Sequence, residues 1–249
     1  LPPRCVVEIS LLEVVMIGEA LGDEIIRYAS KSRLKNPLFV RAENGTMTPE
    51  LIASYLANVH QLIIHTPIHL LKARAVAQSR GDAELARHFE HKLAEEAGHD
   101  AWAATDRDGL AKKTGARASD AVTPTMGLLL GHIEGLIDAD PALYLAYILF
   151  AEQLTVLMGG EWLALLESRC GIPKGLMSVV GNHSELDKDH VAEALDQIDA
   201  LVGDPSKLPA MREALATSMA KFDAFCFEVT RTPVEQDVER GSEKQVAAA

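Results

Sequence analysis

The chain has 249 residues, 48% of them apolar and 24% charged, which suits one large helical domain with a sizeable core. A formal net charge of -12 excludes nucleic acid as the main partner, because phosphate binding needs a basic surface; a small anion held by one or two buried arginines stays open. Three cysteines, Cys5, Cys170 and Cys226, give neither a disulfide framework nor a zinc-type pair, and point to a reduced, cytoplasmic setting.

Residues 1–18 read as an N-terminal arm. Its apolar stretch Val6 to Ile17 is interrupted by Glu8 and Glu13 and shows no small-residue cleavage site, so a secretory signal is not expected. The domain proper is expected over 19–231. A first helix should run from Glu19 to Leu34, ahead of the turns Lys35-Asn36-Pro37 and Asn44-Gly45-Thr46. Thr48 then caps a helix with Pro49 at its first position, running to about Arg80 and kinked or split at Pro67. Gly81 ends it, and Asp82 opens one helix to about Lys113. After a loop to Pro124, helices are expected over 125–137 and from Pro141 to about Cys170. Gly171-Ile172-Pro173 breaks the second of these. A short apolar helix over 174–180, a helix over 183–202 and a last one over 205–230 complete the domain. Residues 232–249 turn polar and read as a disordered tail.

Period-two alternation never persists, so the fold class is all-α: a bundle of long amphipathic helices with antiparallel neighbours. The best membrane candidate, Ala142 to Gly160, carries Glu152 and Gln153 near its middle and reads as a buried core helix, so no membrane partner is expected.

Three segments carry the chemistry. In Glu95-Glu96-Ala97-Gly98-His99-Asp100, Glu96 and His99 are three apart and would share one helical face, where a carboxylate and an imidazole can grip one metal ion; Glu95 is not excluded in its place. Glu152 is the only carboxylate between Ala142 and Gly160, and burial there requires a cation, a hydrogen-bonding partner or a raised pKa. His183, Asp187 and His190 stand at i, i+4 and i+7, and at about 100° per residue they fall in one narrow sector of a helix. Three carboxylates and three histidines suit iron or manganese in a dinuclear site, with Glu152 or Glu96 bridging, and the lack of a cysteine ligand speaks against structural zinc.

Plainer readings exist for each part. Glu-x-x-His on its own is more often a solvated helix face, and the His183 motif could be a surface stripe of charge pairs. His60, His65 and His69 lie in one long helix and suit packing better than ligation, while His88, His91 and His132 look like ordinary face residues. Arg74 suits a salt bridge better than a substrate carboxylate, and Trp102 and Trp162 suit the core or an interface. The conjunction of the three segments is what favours a metal.

At these residues the chain resembles the haem-oxygenase-like non-haem diiron oxidases and oxygenases, within the wider thiaminase-II and pyrroloquinoline-quinone-synthase superfamily. The resemblance spans about 45–205 and rests on Glu96-x-x-His99, on Glu152, and on His183-x-x-x-Asp187-x-x-His190. It implies a haem-oxygenase-like bundle of about seven core helices, usually a homodimer, without haem. It also implies two Fe(II) ions per chain held by Glu96, His99, Glu152, His183, Asp187 and His190, with O2 as co-substrate. The substrate would be a small organic molecule such as an amino acid, a fatty acid or a related metabolite. A ferritin-like carboxylate bundle fits less well, because the helix over 50–80 offers no carboxylate after Glu50 and His183 would have no role. The alternatives are a metal-free or cofactorless enzyme of the thiaminase-II or quinone-synthase type, for which Cys170 has no partnered base, and a non-catalytic helical protein.

Overall fold

In a computed structural model that describes residues 16–231, nine α-helices and two short 3-10 turns carry the whole architecture, with no strand among the described residues. The expected tail, and all but the end of the expected arm, lie outside the described residues. The helices are α1 (Ile17–Lys35), α2 (Pro37–Glu43), α3 (Pro49–Ser79), α4 (Ala83–Glu95), α5 (Asp100–Thr114), α6 (Pro124–Ala139), α7 (Pro141–Cys170), α8 (Ser178–Val202) and α9 (Leu208–Val229). The first begins at Ile17, two residues before the boundary expected from sequence.

One local device starts four of these helices. Asn36-Pro37, Thr48-Pro49, Thr123-Pro124 and Asp140-Pro141 each place a capping side chain on a backbone N–H and a proline where no N–H is needed. Two other helix starts are capped from a distance. Asp199 on α8 accepts from the Ile17 N–H at 2.6 Å and the Gly18 N–H at 3.2 Å, seating the start of α1 on α8. Asp106 on α5, itself 2% exposed, accepts from the Ser178 hydroxyl at 2.6 Å and the Val179 N–H at 2.7 Å, seating the start of α8 on α5.

The apolar helix α7 runs through the core, packed by α8, α9, α1, α6 and α2. Among the described residues it is the one helix long and apolar enough to cross a membrane, but 67% of its most apolar window is buried inside the protein. Its burial on several sides accounts for its continuous apolar run. It approaches α8 closely at Gly159, where a Cβ would lie 2.2 Å from Ser184 Oγ. The aromatic residues Tyr144, Phe150 and Trp162 of α7 fill the core around it. Trp162 donates its indole N–H to the Leu38 carbonyl at 3.1 Å, which ties α2 down.

The sequence reading places no helix where α2 stands, and it differs at further points. The helix expected from Asp82 to Lys113 is two helices, α4 and α5, because Gly98 takes a left-handed φ of 87° that a helix interior cannot hold. The short helix expected over 174–180 and the one over 183–202 are instead a 3-10 turn at Lys174–Leu176 followed by a continuous α8, whose start is set by Asp106. Of the kink or split expected at Pro67, the split does not occur, although the proline denies the Ile63 carbonyl its usual helical donor.

Candidate metal centre

The side chains singled out in sequence come from three places: the α4–α5 turn, the middle of α7 and the first half of α8. The turn is the least expected. Glu96 and His99 do not share a helical face, since 96–99 form the turn made by Gly98. The turn still brings them together, with His99 Nδ1 3.0 Å from Glu96 Oε2. His183 comes from α8 to complete a group in which one ligand atom from each of Glu96, His99 and His183 lies within 4.8 Å of the others. That spacing fits the shell of one metal ion.

The orientation of His183 follows from its backbone. Its Nδ1 lies 2.6 Å from the Val179 carbonyl, one turn earlier, and a carbonyl only accepts. Nδ1 therefore carries the proton, and Nε2 keeps its lone pair for a ligand. Burial holds the His183 pKa down, which favours the same neutral form. Trp102 stacks on His99 with ring centroids 4.1 Å apart and meets the His183 ring edge-on at 5.4 Å, so it walls this group.

The other three expected ligands make a second, looser group, whose ligand atoms do not meet within 4.8 Å as those of the first group do. Glu152 and Asp187 are 7% and 3% exposed. His190 lies with Nδ1 3.5 Å from Asp187 Oδ1 and Nε2 3.6 Å from Glu95 Oε1. A lysine stands among them. Lys92 of α4 is buried and donates to Glu152 Oε1 at 2.9 Å, with Glu95 Oε2 at 3.1 Å. Glu95 and Glu96 therefore both belong to the centre, Glu96 with His99 and His183, Glu95 with Lys92 and His190.

The electrostatics follow from this crowding. Burial pushes the Glu152 carboxyl up, against the pull of Lys92. Burial, with Glu152 and Glu96 nearby, pushes Asp187 up to about 8. Burial works against the charge on Lys92, but Glu152 and Glu95 outweigh it and its pKa rises. Glu95, Glu96, Glu152 and Asp187 gather here with one ammonium, which contacts Glu152 and Glu95, so ionising all four calls for further cations. Glu152 Oε2 and His190 Nδ1 are buried with no hydrogen-bond partner in the protein, which is what a ligand atom looks like without its ion. The donor set thus fits a metal centre of mixed oxygen and nitrogen ligation.

A cavity of about 230 Å³ opens beside both groups, with Lys92, Glu96, Glu152, His183 and Asp187 on its wall. The rest of the lining is largely apolar and aromatic, including Tyr55, Tyr144, Tyr147, Phe150 and Trp162. No arginine lines it, and neither Cys170 nor Cys226 does.

The remaining candidates lie elsewhere. Arg74 pairs with Glu90 at 3.3 Å, and Trp162 is a core residue, as their plainer readings have it. His60 bonds Arg107, and His69 is buried in α3 against Tyr144. Sequence reasoning missed Lys92 and the wall made by Trp102. Lys92 sits one turn before Glu96 and three residues before Glu95, a pattern that any solvated helix shows, and its partner Glu152 is 60 residues away.

No protein-family model matches the chain, and no curated protein matches it. Solved structures do. A domain of unknown function with a haem-oxygenase-like fold from Shewanella denitrificans OS217 superposes with a TM-score of 0.74 at 16% identity, covering 88% of this chain and 93% of that one. A CADD-like protein of unknown function from Nostoc punctiforme PCC 73102 gives 0.63 at 16% identity over 84% and 96%. A TenA homologue from Pseudomonas syringae pv. tomato DC3000 gives 0.62 at 17% identity over 84% and 92%. The chain has the haem-oxygenase-like fold.

Proposed function

We propose that this protein is a non-haem iron oxidase or oxygenase that uses O2 to oxidise a small organic substrate bound in the apolar cavity. The observation that carries the reading is the Glu96–His99–His183 group, with three ligand atoms within 4.8 Å and with Glu96 and His183 on the wall of that cavity. A ferrous ion bound there would supply the reducing electrons and the O2-binding position that protein side chains lack. The six-residue ligand set would place one ion on Glu96, His99 and His183, and the second on Glu152, Asp187 and His190.

The chain's own residues have definite tasks in this scheme. The Val179 carbonyl fixes the His183 ring so that Nε2 faces its ligand. Trp102 holds the His99 ring plane. The apolar lining excludes water from the reacting end of the substrate and binds it by contact, with no fixed cation among the lining residues other than Lys92. A thiol-dependent route of the thiaminase-II kind gets little support, since Cys170 Sγ is turned to the Ala42 carbonyl and Cys226 is fully buried. A cytoplasmic homodimer belongs to the same proposal, and sedimentation of the purified protein checks the dimer.

The test is metal analysis of protein purified anaerobically from iron-supplemented cells, followed by a screen for substrates that trigger O2 uptake. Bound iron and substrate-dependent O2 consumption are the expected results. Protein that takes up no iron under any loading condition ends the proposal.

A further inference from the structure

The two ligand groups differ in what already fills them. Lys92 Nζ is 2.9 Å from Glu152 Oε1 and 3.1 Å from Glu95 Oε2, and its side chain is 7% exposed. A metal ion on Glu152 Oε1 would sit about 2 Å from that oxygen, inside the space where the ammonium makes its contact. We infer that Lys92 is the resident second cation of this centre, so that each chain binds one metal ion, on Glu96, His99 and His183, in place of two. The inference rests on the metal-centre reading and revises its stoichiometry.

Charge and geometry agree. Lys92 contacts Glu152 and Glu95, while Glu96 and Asp187 lie farther out in the same cluster. One divalent ion beside that ammonium leaves the cluster close to neutral, with a negative charge in hand. A second ion would reverse the sign of the cluster without bringing it nearer neutrality, so it adds nothing in charge balance that the first ion has not already supplied. Lys92 cannot simply swing to solvent from its buried position without leaving the Glu152 carboxylate, 7% exposed, to the new ion alone. With Oε1 held by the ammonium, Glu152 keeps a second oxygen, Oε2, buried and without a hydrogen-bond partner, as a further donor for the single ion. His190 and Asp187 then serve as neighbours of the ammonium's partners, since His190 Nε2 lies 3.6 Å from the same Glu95 carboxylate that Lys92 contacts.

The test counts ions and needs no substrate. Metal-free full-length protein is titrated anaerobically with Fe(II), and separately with Co(II); excess metal is removed by gel filtration and the bound metal measured. Wild type is expected to retain one ion per chain, and Lys92→Met two, since the methionine frees the Glu152 and Glu95 oxygens. Melting is followed in parallel. Without metal, Lys92→Met should melt lower than wild type and recover only after two equivalents of Co(II), whereas the rise for wild type is complete at one. Two ions in wild type overturn the inference and leave the metal-centre reading standing. A single ion in Lys92→Met also overturns it. No ion in either protein overturns both. Should the variant fail to fold, the wild-type count decides by itself.

Discussion

The two halves of the centre are built from the same residue types and behave as opposites. The Glu96–His99–His183 half is assembled by a turn and one helix, reaches the cavity wall through Glu96 and His183, and holds no lysine or arginine among the described residues. The Glu152–Asp187–His190 half reaches the same wall through Glu152 and Asp187 but already holds an ammonium. A cluster of metal-type ligands can thus be ready for an ion or compensated in advance, and residue identity alone does not say which. The compensating charge does.

The sharpest way to break this comparison is to remove a ligand from the open half. His183→Ala should lower Fe(II) affinity by at least about a hundredfold with the fold retained, read by metal analysis and circular dichroism. Equal iron retention by the variant would remove the distinction between the halves. The next largest effect belongs to the compensated half. Glu152→Ala leaves the Lys92 ammonium buried beside Glu95 alone and should cost about 3–5 kcal/mol in urea unfolding of the metal-free protein. Glu96→Ala, which among the described residues loses a pairing with the His99 ring, should cost about 1 kcal/mol or less while abolishing metal retention.

The fold's own pH dependence has to be separated from that of the centre, and His69 provides it. Burial, with His65 and Lys72 adding to it, holds its pKa down to about 4, and the residue is 1% exposed. The unfolded chain protonates this histidine near pH 6.5 and the folded one only near 4, so stability falls as pH drops through that window. The loss should approach about 3 kcal/mol below pH 4, and His69→Leu should flatten that part of the unfolding profile. The smallest expected effect is at the joint that sets α8. Asp106→Asn weakens two bonds to the start of the helix and should cost about 1–2 kcal/mol by chemical denaturation, with a modest drop in metal affinity through His183.

Much of this arrangement was legible in the sequence. Capping residues followed by proline marked the starts of α3 and α7, and the lone Glu152 in an apolar helix announced a buried charge in need of a partner. The spacing of His183, Asp187 and His190 placed them on one face of α8. The turn at Gly98 was hidden because Glu-x-x-His reads as helical, and only a positive φ at the glycine shows otherwise. Lys92 was hidden for a different reason. Its role depends on a carboxylate from another helix, and local patterning carries no trace of a partner that folding brings from 60 residues away.

Gly98 itself has a further consequence. It stands at φ 87° between Glu96 and His99, so the two donors hang from different rods joined at one permissive residue. No heavy atom lies within 4 Å of where a Cβ would sit, so alanine there would meet no obstacle. The strain, about 1 kcal/mol, would be relieved by tilting α5 against α4, and that tilt opens or closes the bite of the pair. Such a replacement would lower the melting temperature by about 2–4 °C and would tell more in how tightly an added metal ion is held.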